Sequence, residues 1–231
     1  MASNFKLESR DERIERMHRD NPGRALELCT VVVDQMWDKR RELVNSQIPE
    51  RFKDASIEDL GYVSLAVNRA VAEMLQPPEE NEKVGTIFCG PAGSGKTHAA
   101  YAVIRKLAEK NPEMVGSMIT YSEAFASLRN EFLDGSYEEM GSVWDRLNNN
   151  SGTYDGVLLL DNVSSKKLTD FELDKFLMFL EKRFNYYLPF ILTTNVKRED
   201  FKEVFGERIA SRLIGYCNII NFDGDKRIEK I

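Results

Sequence analysis

Long apolar runs, paired cysteines and an excess of basic charge are all missing from this chain of 231 residues. No apolar stretch approaches the roughly 20 residues that a membrane-spanning helix requires. The N-terminus, MASNFKLESRDERIERMHRD, is charged throughout and lacks the apolar core of a secretory signal. Cysteine occurs only at Cys29, Cys89 and Cys217, far apart and with no CxxC pair, so neither a disulfide framework nor a zinc site is readable. A reducing, cytoplasmic setting is the expectation. Basic residues number 32 against 38 acidic ones, and the net charge of −6 argues against a protein that coats duplex DNA by bulk electrostatics. Internal repeats and low-complexity tracts are absent as well. What remains is 42% apolar and 30% charged, the balance of a globular domain, and the length suits one compact domain with an appendage.

The chain divides into two unequal parts. Residues 1–47 read as a charged helical segment. Asn21-Pro22 supplies a candidate N-cap and first-turn pair. Behind it Ala25, Leu28, Cys29, Val32, Met36 and Leu43 recur near helical spacing, with Val33 and Trp37 widening the stripe. A helix of this length cannot bury such a face alone, so it packs either on its own domain or on a partner. Ile48-Pro49 interrupts the pattern, and Pro77-Pro78-Glu79-Glu80-Asn81 makes a polar loop. Beyond it, apolar strands at Val84–Cys89, Gly116–Tyr121, Gly156–Leu160, Phe190–Thr194 and Cys217–Phe222 alternate with helical patterns near 96–110, 122–133, 137–148, 169–187 and 199–214. That alternation predicts an α/β domain with a mainly parallel sheet covered on both faces, and the unbroken run Val157-Leu158-Leu159-Leu160 fits a strand buried on both sides.

One segment carries chemistry outright. Gly90-Pro91-Ala92-Gly93-Ser94-Gly95-Lys96-Thr97 is a full GxxxxGK[ST] match, fed by the apolar run Gly85–Cys89 and followed by a helical pattern through Ala99, Ala100, Val103, Ile104 and Leu107. Glycines let backbone N–H groups turn inward around phosphates, and the opening helix adds its positive end. Lys96 is placed to reach the β- and γ-phosphates and Thr97 to ligate Mg²⁺. His98 follows on the helix as a packing or near-nucleotide residue.

Three further pieces gain meaning from their order. Val157–Asp161 is an apolar strand ending in a carboxylate some sixty residues after Lys96, where P-loop proteins hold Mg²⁺ beside the loop hydroxyl. Phe190–Asn195 is a strand ending in polar residues; if it lies between the P-loop strand and the Asp161 strand, Asn195 faces the γ-phosphate and the attacking water. Gly206–Leu213 presents Arg208 and Arg212 on a short helix, either as solvated charges or as groups that stabilise transition-state charge on a neighbour's nucleotide.

Together these pieces resemble the AAA+ ATPase of the DnaC/DnaI helicase loaders and the related IstB transposition helpers. Ile48-Pro49-Glu50-Arg51-Phe52 resembles the group's IPxRF opening, and the P-loop with His98-Ala99-Ala100 its GKTHLA. Glu181-Lys182-Arg183-Phe184 through Pro189–Asn195 resembles its RY…PTIITTN stretch. Gly206-Glu207-Arg208 through Ser211-Arg212-Leu213, then Phe222–Arg227, resembles its ERxxxR and G-x-x-R ending. The resemblance covers residues 48–227 and implies a P-loop NTPase of the AAA+ ASCE type. The implied sheet is parallel and five-stranded, of order 5-1-4-3-2, with helices on both sides. A short helical extension (1–47) precedes the ATPase domain (48–231). It implies ATP and Mg²⁺ as cofactors, Asn195 as the sensor of the γ-phosphate, Arg212 as a finger acting in trans and Arg208 as a second interface arginine. Only nineteen residues follow Arg212, so no C-terminal helical lid is expected. ATP would then join neighbouring copies, and a monomer should hydrolyse poorly. Implied partners are a replicative ring helicase, reached through residues 1–47, further copies of the chain, and single-stranded DNA bound weakly; no membrane is involved.

The chain departs from the group in three places. Asp161 is followed by Asn162 where the group carries a second acid, so slow hydrolysis is expected, because an amide orients a water but cannot take its proton. The N-terminus has no cysteine cluster for a zinc-binding head. The segment Ser122–Asn150, the implied DNA-contacting insertion, carries Glu123, Glu131, Asp134, Glu138, Glu139 and Asp145 against Arg129 and Arg146. Arg129, Phe132, Tyr137, Lys166 and Lys167 are the candidates for strand contact. Three readings remain: a helicase loader, an IstB-like transposition helper, or a nucleotide-gated adaptor with little turnover. A GTPase lacks support in the missing DxxG and NKxD, and a small-molecule kinase in the missing arginine-rich lid.

Overall fold

In a computed structural model the described residues are 8–23, 25–76, 83–136, 142–143, 147, 156–163 and 168–224. Five parallel strands, β1 (Gly85–Cys89), β2 (Val115–Thr120), β3 (Val157–Val163), β4 (Phe190–Thr194) and β5 (Cys217–Asn221), form one sheet in the order β2-β3-β4-β1-β5. That is the order expected, with β4 between the P-loop strand and the Asp161 strand. Alternation along each strand sends its side chains to two cores. Phe88, Val157, Leu159 and Ile191 face one side, under α3 (Ser64–Met74) and α4 (Lys96–Lys110). Ile87, Leu158, Leu160, Phe190 and Leu192 face the other, under α5 (Tyr121–Asp134), α6 (Asp170–Asn185) and α7 (Phe201–Tyr216). Both faces being covered explains why these strands are apolar without interruption.

Capping residues set where the helices start. Thr120 and Thr169 each accept from the backbone N–H three residues on, and Glu123 and Glu172 return the bond to the cap. α7 bends at Gly206, whose φ of 76° is open to glycine without a Cβ penalty.

The N-terminal segment folds as two helices, α1 (Arg10–Asp20) and α2 (Leu26–Gln47), with a small core of their own formed by Ile14, Cys29, Val33 and Trp37. Ion pairs frame it: Arg10 with Asp34, and Arg16 with Glu8. The pair docks on the rest of the domain through Arg40, which donates to the Val115 carbonyl at 2.6 Å, through an Arg13–Glu113 ion pair, and through Val44, which joins the α3/α4 core.

Two local expectations are corrected here. Asn21 does not cap α2; it ends α1, its side chain donating to the Met17 carbonyl, and α2 begins after Ala25. The buried face of α2 is Cys29, Val33, Trp37 and Val44, whereas Leu28, Met36 and Leu43 of the expected stripe are close to half exposed. α3 was not foreseen. The expected helix over 137–148 lies mostly outside the described residues, as does Trp144.

Candidate nucleotide site

The site is built at the carboxyl edge of the sheet, where β1, β3 and β4 end side by side. β1, buried along its whole length, delivers the chain into the loop Gly90–Gly95. Gly90 (φ 142°) passes so close to β5 that a Cβ there would run into the Phe222 carbonyl oxygen. Gly95 (φ 98°) precedes α4, and no side chain caps that helix start. Its first-turn N–H groups are therefore left to an anion. Pro91 and Ala92 are exposed, Gly93 and Gly95 partly so, and Ser94 is buried. Lys96 is buried, and its ammonium donates to the Pro91 carbonyl at 2.6 Å, within the loop that a triphosphate would fill.

Asp161 sits opposite, at the end of β3. The Thr97 hydroxyl donates to its Oδ1 at 3.0 Å, and the Thr193 hydroxyl donates to the same oxygen at 2.5 Å. Here the β3–β4 ladder slips. Leu160 pairs with Leu192 and the next pair is Val163 with Thr194, so β3 carries one residue more than β4. The extra residue forms a bulge, with Asn162 at φ 60°, a conformation asparagine tolerates better than most residues. Its N–H donates to Thr193 Oγ1 at 2.7 Å instead of to a ladder carbonyl. Thr193 thus stitches the bulge closed and aims the carboxylate. Sequence reading named Thr193 only as part of a strand, because its role needs β3 and β4 to be neighbours.

A hydroxyl and a carboxylate in contact are hard oxygen donors of the kind Mg²⁺ takes, with phosphate and water completing its shell. Among the described residues no cluster of three His, Cys, Asp or Glu could hold a metal. Asn195 follows β4 directly and is exposed at the same edge. His98 lies beside the segment that precedes α3. Phe52 stacks on Tyr101 at 4.9 Å between centroids, presents its face to the Arg51 guanidinium at 4.3 Å, and meets the His98 ring edge-on at 6.5 Å. The IPxRF-like stretch therefore flanks the first turns of α4.

Arg208 and Arg212 lie on α7, which starts at this edge, Arg212 toward the far end of the helix and Arg208 one turn before it. α7 descends to the opposite end of the sheet, where the Tyr216 carbonyl accepts from Val84 N–H at 2.9 Å just before β1. Arg208 is exposed, and Arg212, one turn before Tyr216, pairs with Glu181 of α6 at 2.8 Å.

Of the DNA-contact candidates, Arg129 is exposed on α5, and Phe132 packs edge-on against Phe171 under the Lys175 ammonium, 4.3 Å from its ring. Tyr137, Lys166 and Lys167 lie outside the described residues. Arg183 is fully buried and donates to the Leu147 carbonyl from Nε and Nη2 at 3.1 and 3.0 Å. Burial pulls its pKa down to about 9, so it stays charged at neutral pH. It ties the insertion to α6, a structural use of the residue in the RY-like stretch. The three thiols are buried and unpaired with one another, and burial pushes Cys89 up to about 11, which leaves it protonated and inert.

The comparisons agree with this geometry. A family model described as IstB-like ATP binding protein matches residues 31–230. The crystal structure of the DnaC helicase loader superposes with a TM-score of 0.62 at 21% identity, over 76% of this chain and 100% of the other. The crystal structure of DnaI does so with a TM-score of 0.60 at 22% identity, over 77% and 95%. Domain III of the Thermotoga maritima replication initiation protein DnaA gives a TM-score of 0.60 at 16% identity, over 74% and 67%. No curated protein matches the sequence. The chain belongs to the family of IstB-like ATP-binding proteins and has the AAA+ fold of the DnaC type.

Proposed function

We propose that this protein is an ATP-dependent helicase loader: copies joined through ATP·Mg²⁺ place a replicative ring helicase on single-stranded DNA. The observation that carries the ATP half is the contact of Thr97 and Thr193 with one oxygen of Asp161 beside an uncapped helix start. In this reading the loop N–H groups and Lys96 hold the phosphates, and Thr97 and Asp161 hold Mg²⁺. The ion, when bound, neutralises charge on the phosphate oxygens. Asn195 orients the attacking water. Asn162 replaces a proton-accepting carboxylate by an amide, so turnover is slow, below the roughly 1–10³ s⁻¹ of ordinary enzymes. Arg212, set toward the far end of α7, serves the γ-phosphate of the next copy, with Arg208 beside it.

The helicase half rests on the resemblance and on α2, whose Leu28, Met36 and Leu43 leave an apolar stripe next to the face it buries. Single-stranded DNA is bound weakly and with ATP, since the insertion is acidic. A second reading, a transposition helper of IstB type, is favoured by the family match over 31–230. The nucleotide-gated adaptor reading rests on Asn162.

Calorimetry with ATP·Mg²⁺ tests the first half. Binding is expected for the native chain and about 10- to 100-fold weaker for Lys96→Ala, the value of one charged hydrogen-bonding group; no binding by the native chain would overturn the reading. A pull-down with ATP tests the second. Deleting residues 1–47 would strip Val44 from the core, so the doubly substituted Leu28→Glu/Met36→Glu chain is the better control. A ring helicase captured by the native chain and lost by this variant supports loading, whereas capture of a transposase selects the second reading.

A further inference from the structure

We infer that Glu181 is a positioning residue for Arg212, holding the guanidinium ready for a neighbouring copy's triphosphate. The inference rests on the trans role of Arg212 proposed above and goes beyond it by assigning a role to a residue on a different helix. Arg212 Nη2 donates to Glu181 Oε1 at 2.8 Å, and Nη1 donates to the Arg208 carbonyl, one turn earlier on α7, at 3.1 Å. The two bonds come from different nitrogens and fix the plane of the group. They use two of its five N–H donors, leaving the remaining three able to engage phosphate oxygens.

The same ion pair could instead be a restraint that keeps the arginine from its target, and magnitudes decide between the two. The side chains of Arg212 and Glu181 are 30% and 39% exposed. A pair so open to water shifts an equilibrium by no more than about five-fold. A trans arginine acting on a γ-phosphate is worth about 10³–10⁵ in rate, so this pair is far too weak to withhold it. It is strong enough to bias rotamers. Arginine has much rotamer freedom to lose, and a partner that restricts it beforehand lowers what assembly must give up. The carboxylate comes from α6 while the arginine sits on α7, so the pair also fixes the arginine relative to the sheet, because α6 and α7 share the core around Phe176 and Phe205.

The test uses full-length chains in two complementary forms. Lys96→Ala subunits donate an arginine but hold little ATP at a concentration that fills the native site, and Arg212→Ala subunits hold ATP but donate none. Fluorescently labelled, the two should associate with ATP·Mg²⁺, while Arg212→Ala subunits alone should not. Failure of that control would overturn the trans reading itself and leave its cause distinguishable. With the control in place, Glu181→Ala on the donor should weaken association about two- to five-fold, the ratio equivalent to an exposed ion pair. Glu181→Asp should restore most of it, and Glu181→Ala on the ATP-holding subunit should change nothing. This donor–holder asymmetry is a readout that mere loss of fold would not reproduce, and matched melting curves check the fold. Equal effects on both sides, no effect, or tighter association from the donor substitution would each overturn the positioning role.

Discussion

At the carboxyl edge of the sheet, Thr97 and Thr193 close on the buried carboxylate of Asp161 and Asn162 bonds Thr193 in turn, so that bonds of 2.5–3.0 Å join four residues from three elements. At the amino end of the chain, α1 and α2 hold each other through four buried side chains and through the Arg10–Asp34 ion pair, while Arg16 pairs with Glu8 just ahead of α1. The first region is polar inside and takes its geometry from the parallel ladder beneath it. The second is apolar inside and is attached to the rest by Val44 and by contacts of Arg40, Arg41, Arg13 and Glu8 with Val115, Ala108, Glu113 and Asn111. The difference leads to the prediction that the chain carries two cooperative units. One should be locked by the main core, and the other should loosen without disturbing the site.

The comparison can be broken most forcefully at Trp37, which is 6% exposed in the small core. Trp37→Ala should cost the helix pair about 3–5 kcal/mol, the usual range for truncating a buried Trp. Hydrogen exchange should show α1 and the first turns of α2 losing protection, while ATP affinity changes by less than about twofold, as expected of distant sites. A loss of ATP binding in step with α1 protection would mean the two regions are one unit.

A smaller effect is expected from the other side. Thr193→Val keeps the shape but strands the Asn162 N–H and removes a donor from Asp161, a loss of about 1–3 kcal/mol. A magnesium titration of fluorescent ATP binding should shift to about tenfold higher metal, with Thr193→Ser close to native and Trp37 emission unchanged. An unaltered titration would deny Thr193 its aiming role.

The smallest effect sharpens the contrast through pH. Hydrogen bonds from Arg16 and Arg10 hold the Glu8 and Asp34 carboxyls below their ordinary values. The unfolded chain therefore takes up these protons more readily. Their contribution is complete above the ordinary carboxylate range of about 4, and it fades as the pH falls below that range. In a Trp144→Phe background, Trp37 emission should shift toward longer wavelength on acidification before the main unfolding transition. High salt should move that shift to higher pH, because these pairs are exposed and screened. Coincident transitions would refute the independence of the pair.

The strands and the P-loop were legible because each rests on a local rule: continuous apolar runs for doubly buried strands, glycines and a GKT triplet for phosphate. The order of motifs along the chain, through its resemblance to the loader group, also anticipated β4 between β1 and β3. The rotation of α2 was not legible. Leu28, Met36 and Leu43 are as apolar as Cys29, Val33 and Trp37, and only the position of α1 and α4 selects which face is covered. Asn21-Pro22 reads as a helix start, yet the side chain found a carbonyl of the preceding helix first. Glu181 and Thr193 were invisible as functional candidates for the same reason: each acts on a residue about thirty positions away.

By itself, then, the order of residues determined the chemistry on offer: an anion cradle at Gly90–Thr97, a carboxylate at Asp161, an amide at Asn162 and guanidinium groups at Arg208 and Arg212. Those properties reside in side chains and in backbone torsions that neighbouring residues control. Which groups meet was decided by tertiary structure alone. A parallel sheet brings strand ends distant in sequence to one edge and sends the returning helices to the other, so Asp161 meets Thr97 and Thr193 while Arg212 is carried away to Glu181.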